Sequence, residues 1–148
     1  MTTFADNRRV RHDYEILETF QGGLVLNGQE VKSIRGGRIN LSGSYIHVNN
    51  QELFLVGANI PAYQPANAPA NYNPDRARKL LVTAKEIKYL IGKVRERGLT
   101  LMPLKVYSMK SKIKLTFGLV KSKKKQDKRN ILKKRDAERE MRKAILRG

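Results

Sequence analysis

Between Thr100 and Val120 the side chains change character at every second position. Leu104 and Val106 alternate with Lys105 and Tyr107. Then Ile113, Leu115, Phe117 and Leu119 alternate with Lys114, Thr116 and Gly118. Successive strand residues point to opposite faces, so this period of two specifies strands with one apolar face and one wet, basic face. A turn near Ser108–Ser111 joins the two runs. A lone hairpin is at best marginally stable in water. The apolar face therefore needs more strands to cover it, and most of the remaining chain supplies them.

From His12 to Phe20, Tyr14, Ile16 and Phe20 keep the even spacing and Leu17 falls out of step, which predicts a strand with a bulge. Gly22-Gly23 is expected to break it before the short apolar piece Leu24–Leu26. Residues Gln29–Arg35 place Val31 and Ile34 three apart ahead of Gly36-Gly37, the pattern of a two-turn helix with a glycine stop. Ser44–Val56 reads as a hairpin turning at Asn49-Asn50. Pro61–Pro74 holds four of the five prolines and reads as a loop. Asp75–Leu81 is expected to be a short basic helix or turn. Thr83 and Glu86 form a capping box, and Ile87, Leu90, Ile91 and Val94 lie on one helical stripe, predicting a helix over about 84–97. Thr2–Arg11 is polar and basic and reads as a loose arm. The expected fold is mainly β with few helices: an OB-like antiparallel β-barrel over residues 1–120, with short flanking helices.

Residues 121–148 are different. Thirteen Lys/Arg face four Asp/Glu, half the formal charge of +18 in under a fifth of the chain. So dense a charge repels itself and cannot collapse alone; a polyanion, most often nucleic-acid phosphate, neutralises it. Asp136 with Arg139, Glu138 with Arg142 and Glu140 with Lys143 are helix-spaced opposite charges, and Ala137, Met141 and Ile145 make a thin apolar stripe. The tail is expected to be disordered alone and helical when bound. The chain has no Cys and no run near the roughly 20 apolar residues that span a bilayer, and its start lacks a signal-peptide core. These features predict a soluble, cytoplasmic protein without disulfides.

Signals for catalysis are weak. His47 sits between Ile46 and Val48 in a strand pattern, and His12 has no nearby Ser or Cys to activate. Phosphate-binding loops, dinucleotide fingerprints and metal-ligand motifs are missing from the sequence. The reading is a non-catalytic RNA-binding protein with no cofactor and no metal. The arm Asn7, Arg8, Arg9, Arg11, His12, together with Tyr14, offers guanidinium forks, an amide and rings suited to phosphates and unstacked bases. Arg76, Arg78 and Lys79 form a second basic group beyond the proline loop.

Four stretches, NRRVRHDYEILETF, GLVLNGQEVKSIRGGRINL, DRARKLL and KSKKKQDKR, together resemble the small protein B family, the SsrA-binding proteins of bacterial trans-translation. The resemblance runs from about Asn7 to Arg129 in order. It implies an OB-like body that binds the tRNA-like domain of transfer-messenger RNA and is needed for delivery of that RNA, with elongation factor Tu, to stalled ribosomes. There the tail would fold into the empty mRNA channel by the decoding centre of the small subunit. By the same resemblance, Asn7 and the basic residues after it, Gln21, Glu30, Lys32, Arg35 and Leu81 are implied in RNA binding. Lys121, Lys123, Lys124, Lys125, Gln126, Asp127, Lys128, Arg129, Arg135, Met141 and Ile145 are implied in the ribosome-binding tail. Gln21 stands where some members have Glu, Ser122 where the family has Gly, and Gln126 where many members have His. A monomer is expected. Two other readings stay open: a ribosomal or ribosome-assembly protein, and an enzyme acting on RNA.

Overall fold

The computed structural model describes residues 1–123 and Met141. The expected tail conformation, and the tail positions Lys124, Lys125, Gln126, Asp127, Lys128, Arg129, Arg135 and Ile145, lie outside the described residues.

Among the described residues the chain forms β1 (Thr2–Asp6), α1 (Arg8–Asp13), β2 (Tyr14–Leu24), α2 (Gly28–Arg35), β3 (Tyr45–Asn49), β4 (Glu52–Val56), β5 (Arg78–Leu81), α3 (Ala84–Val94), β6 (Leu99–Met109) and β7 (Lys112–Ser122). A single 3-10 turn, Pro65–Asn67, interrupts the proline loop. All strand pairings are antiparallel, in the order β1-β6-β3-β4-β5-β2-β7, and β6 also pairs with β7. The sheet therefore closes on itself through β6 and leaves β1 as an outer appendage. This agrees with the expected mainly-β, ring-closed fold.

The long hairpin is where the alternation placed it. Leu115 and Phe117 are fully buried with Leu53, Leu55, Leu80, Leu101 and Val106 in one core. Its turn uses Lys110 and Ser111 at positive φ (49° and 68°). The β3–β4 turn likewise falls on Asn50-Gln51 (φ 49° and 62°), one residue beyond the expected pair. Burying each Leu or Phe contributes about 1.5–3 kcal/mol. α3 starts at its Thr83–Glu86 capping box and lays Leu90 into the core. It ends at Val94, short of 97, and Gly98 (φ 81°) turns the chain into β6. α2 matches its prediction and begins at Gly28, with an unforeseen capping box between Asn27 and Glu30.

The bulge in β2 is real: the register against β7 shifts between Ile16 and Glu18, leaving Leu17 unpaired and 43% exposed. A second bulge in β6, between Pro103 and Lys105, suits a proline that lacks a ladder N–H. It turns Leu104 away from the main core into a small cluster with Val10 and Val120.

Three expectations fail. Thr2–Arg11 is not a loose arm: β1 pairs with β6, and Asn7 fastens α1 by donating its backbone N–H to the Leu104 carbonyl (2.7 Å) and its amide to the Pro103 carbonyl (3.0 Å). Gly22-Gly23 does not break β2, which runs to Leu24. A Cβ on Gly22 would lie 2.8 Å from the Leu81 carbonyl oxygen, so glycine is there to let β5 approach. Asp75–Leu81 is not helical: Arg78–Leu81 is a strand whose inward positions are Leu80 and, unexpectedly, Arg78.

Candidate nucleic-acid interface

Glu30 and Arg78 are both completely buried. Glu30 Oε2 accepts from Arg78 Nε (2.6 Å), and Oε1 accepts from Arg76 Nη2 (2.5 Å) and from the Asn27 backbone N–H (2.9 Å). Arg78 also donates to the carbonyls of Ala58 (2.8 Å) and Pro74 (3.0 Å) through its two terminal nitrogens. Burial pushes the Glu30 carboxyl up. The Arg76 hydrogen bond, the Asn27 N–H and the charge and hydrogen bond of Arg78 outweigh burial and hold it below its ordinary value. A buried charge is tolerated only when paired this fully. Both named among the expected RNA-binding residues, Glu30 and Arg78 lie inside the protein, where they face each other. They lock α2 to β5.

That lock positions an open surface. In the β5–β2–β7 register Leu81 opposes Gly23 and Gly23 opposes Lys114, so the three share the outer face; Gln21 opposes Thr116 one step along. Two adjoining shallow grooves, of about 300 and 400 Å³, share Gly23, Leu81 and Lys114; the first adds Arg35 and Lys112, the second Gln21. Leu81 is 51% exposed on this outer face. Gly23 leaves the floor flat between Leu81 and the Lys114 ammonium. Arg35 Nη2 donates to the Ser111 carbonyl (2.7 Å), which ties α2 to the β6–β7 turn beside the groove. The result is an apolar floor walled by cations, a shape that takes a sugar–base face with its phosphates at the rim.

Lys32 projects from α2 with its ammonium 5.8 Å from the centre of the Tyr63 ring, and Gln29 accepts the Tyr63 backbone N–H (3.0 Å), fixing the proline loop to α2. Lys79 lies on the outer side of β5 and pairs with Glu52 (3.3 Å).

The predicted arm lies elsewhere. Asn7 is buried at the β1–α1 junction, while Arg8, Arg9, Arg11 and His12 are exposed on α1. Arg11 pairs with Asp6 (2.9 Å), and His12 Nδ1 lies 2.9 Å from Asp13 Oδ1. Tyr14 packs on the Val10 cluster, and burial followed by the Asp13 charge raises its hydroxyl pKa. Lys121 and Lys123 emerge exposed next to this helix.

Sequence reasoning did not single out Lys112, Lys114, Gly23 or Tyr63 as site residues. The signal for Lys114 was present: a lysine on the wet face of the most regular strand. It pointed to the groove only once β5 was known to be a strand. Among the described residues no cluster of three or more His, Cys, Asp or Glu could hold a metal, and no helix is long and apolar enough to cross a membrane.

The "SmpB protein" family model matches residues 4–147. An SsrA-binding protein of Acaryochloris marina is 46% identical over 97% of this chain and 94% of its own length. That of Gloeothece citriformis is 49% identical over 96% and 92%. A solved structure, "tmRNA-SmpB: a journey to the center of the bacterial ribosome", superposes with a TM-score of 0.66 at 41% identity, covering 86% of this chain and 93% of that one.

Proposed function

The chain belongs to the SmpB protein family, and on that premise we propose that it binds transfer-messenger RNA and brings it to stalled bacterial ribosomes. The observation that carries the reading to this chain is the groove of Leu81, Gly23 and Lys114 with Gln21, Arg35 and Lys112 around it. It offers what a folded RNA presents: a riboside face for the floor, phosphates for the rim. Affinity comes mostly from phosphate neutralisation and falls steeply with salt; specificity comes from the shape of the RNA and its unstacked loop bases.

The body, residues 1–120, holds the RNA. The tail, residues 121–148, acts in the mRNA channel of the small subunit, with Asp127, Lys128 and Arg129 at the decoding centre. Elongation factor Tu accompanies delivery, the protein works as a cytoplasmic monomer, and it makes or breaks no bond itself.

Sequencing the RNA that co-purifies with the tagged protein tests the reading. One dominant species with tRNA-like and coding parts is expected; a spread of unrelated RNAs overturns it. Replacing Asp127, Lys128 and Arg129 together by Ala is expected to leave RNA affinity nearly intact and abolish the tagging of nascent chains on stalled ribosomes that the family's trans-translation role implies. Sedimentation of the free protein checks the monomer, and co-migration with RNA and elongation factor Tu checks the delivery complex.

A further inference from the structure

We propose that the ring of Tyr63, at the start of the proline loop, is a stacking platform for one unstacked base of the RNA whose sugar–base face fills the Leu81 groove. The proposal rests on the RNA-binding reading above and adds a contact that takes a base, not a phosphate.

The loop is set apart by its chemistry. Residues 61–74 carry no charged side chain, in a chain with a formal charge of +18. Pro, Ala, Asn and Tyr cannot neutralise phosphate; ring faces and amides suit bases. The loop is also held in shape before any ligand arrives. Tyr72 donates its hydroxyl to the Ile60 carbonyl (2.6 Å), and Ile60 donates its N–H to the Pro74 carbonyl (2.9 Å), which closes the loop at its base. At its outer turn Asn67 donates its backbone N–H to the Gln64 carbonyl (2.9 Å) and its amide to the Gln64 side-chain oxygen (3.0 Å). The two tyrosines therefore differ. Tyr72 spends its hydroxyl inside the loop, whereas Tyr63 is 41% exposed.

α2 holds Tyr63 beside the groove. Gln29 Oε1 accepts the backbone N–H groups of Tyr63 (3.0 Å) and Gln64 (3.3 Å), and the Lys32 ammonium sits 5.8 Å from the ring centre. Gln29, Lys32 and Arg35 follow one another at three-residue steps on α2, and Arg35 lines the groove. From Gln29 to Arg35 is about 9 Å of helix, so one short RNA segment spans both the groove and the ring. Lys32 puts a cation next to the stacked nucleotide, where its phosphate needs one. A ring fixed in advance loses little freedom when a base settles on it.

The test measures the affinity of the full chain for transfer-messenger RNA across a salt series. Tyr63→Ala is expected to bind about tenfold more weakly with its log–log salt slope unchanged, because a base contact releases no counterions. Tyr63→Phe keeps the ring and should stay within about twofold of the parent. Tyr63→Leu keeps the bulk without the π-face and should lose as much as Tyr63→Ala. Lys32→Ala is the contrast: its salt slope falls by about 1. The chain has six Tyr and no Trp, so the emission difference between the parent and Tyr63→Phe isolates Tyr63, and RNA at saturation should quench it. Parent-level affinity in Tyr63→Ala or in Tyr63→Leu overturns the proposal, as does a Tyr63 signal that RNA leaves unquenched. Unchanged RNA affinity together with lost tagging would assign the loop to a protein of the rescue complex and overturns it too. Failure of the functional reading itself looks different: the unaltered protein then shows no preference for transfer-messenger RNA over an unrelated structured RNA.

Discussion

At one end of the β2–β7 pair a single carboxylate, Glu30, draws a helix start, two arginines and a strand together in a completely buried network. At the other end three apolar side chains, Val10, Leu104 and Val120, seat a six-residue helix, with Asn7 as its clip. The first end is costly to assemble and costly to disturb, because each partner leaves a buried charge behind when the other goes. The second is a small wedge on the outside of the sheet. The expensive architecture lies under the groove, where several elements must keep register. The cheaper one lies where the body needs only to present a surface and a departure point.

Breaking the network tests this contrast most strongly. Arg78→Leu leaves Glu30 buried beside Arg76 alone and should cost about 3–5 kcal/mol, read by urea unfolding. Next is Gly22→Ala, whose methyl would press on the Leu81 carbonyl and the Leu80 side chain; about 1–3 kcal/mol is expected, together with a displaced β5 and weaker RNA binding. A loss of stability with unchanged RNA affinity would separate β5 placement from the groove. Val10→Ala at the opposite end should cost about 2 kcal/mol and leave the groove amides unshifted in NMR spectra. Acid sharpens the same contrast. The folded Glu30 pKa is depressed, so its stabilisation is complete above the ordinary carboxylate range and disappears as pH falls through the folded value. Melting temperature should therefore drop below about pH 4, and the α2 and β5 amides should lose hydrogen-exchange protection before those of β6. The smallest stability effect belongs to Leu81→Ala, within about 0.5 kcal/mol because the side chain is half in solvent, yet RNA affinity should fall about tenfold. Unchanged affinity would remove Leu81 from the floor.

Elements built on regular periods were legible in the chain. α2, α3, the β6–β7 hairpin and even the Leu17 bulge follow from spacing alone. The failures share one physical cause: a residue type was read for its habit while a distant partner decided its place. Gly22 reads as a breaker until β5 is known to press against it. Arg78 hides a strand because an inward arginine makes sense only with Glu30 opposite, 48 residues earlier. Thr2–Arg11 reads as solvated because nothing local reveals that the β6 bulge offers Asn7 two carbonyls. For the site, the basic residues were visible but not their grouping. Sequence order placed Arg8 and Arg9 in one RNA-binding set with Glu30 and Arg78; the fold buries the latter two and carries the former to the far end of β2.

β1 begins with the Thr2 N–H donating to the Ser108 hydroxyl, three residues from Ser111, whose carbonyl Arg35 holds. Any polypeptide fused ahead of Met1 would thus emerge beside the β6 end of the β6–β7 turn, at the opposite end of β7 from Ser122. If RNA lies over the Leu81 groove as proposed, a purification handle placed there is expected to lower its measured affinity, and protease removal of the handle to restore it. The amino terminus is the wrong place to attach anything one wants to ignore.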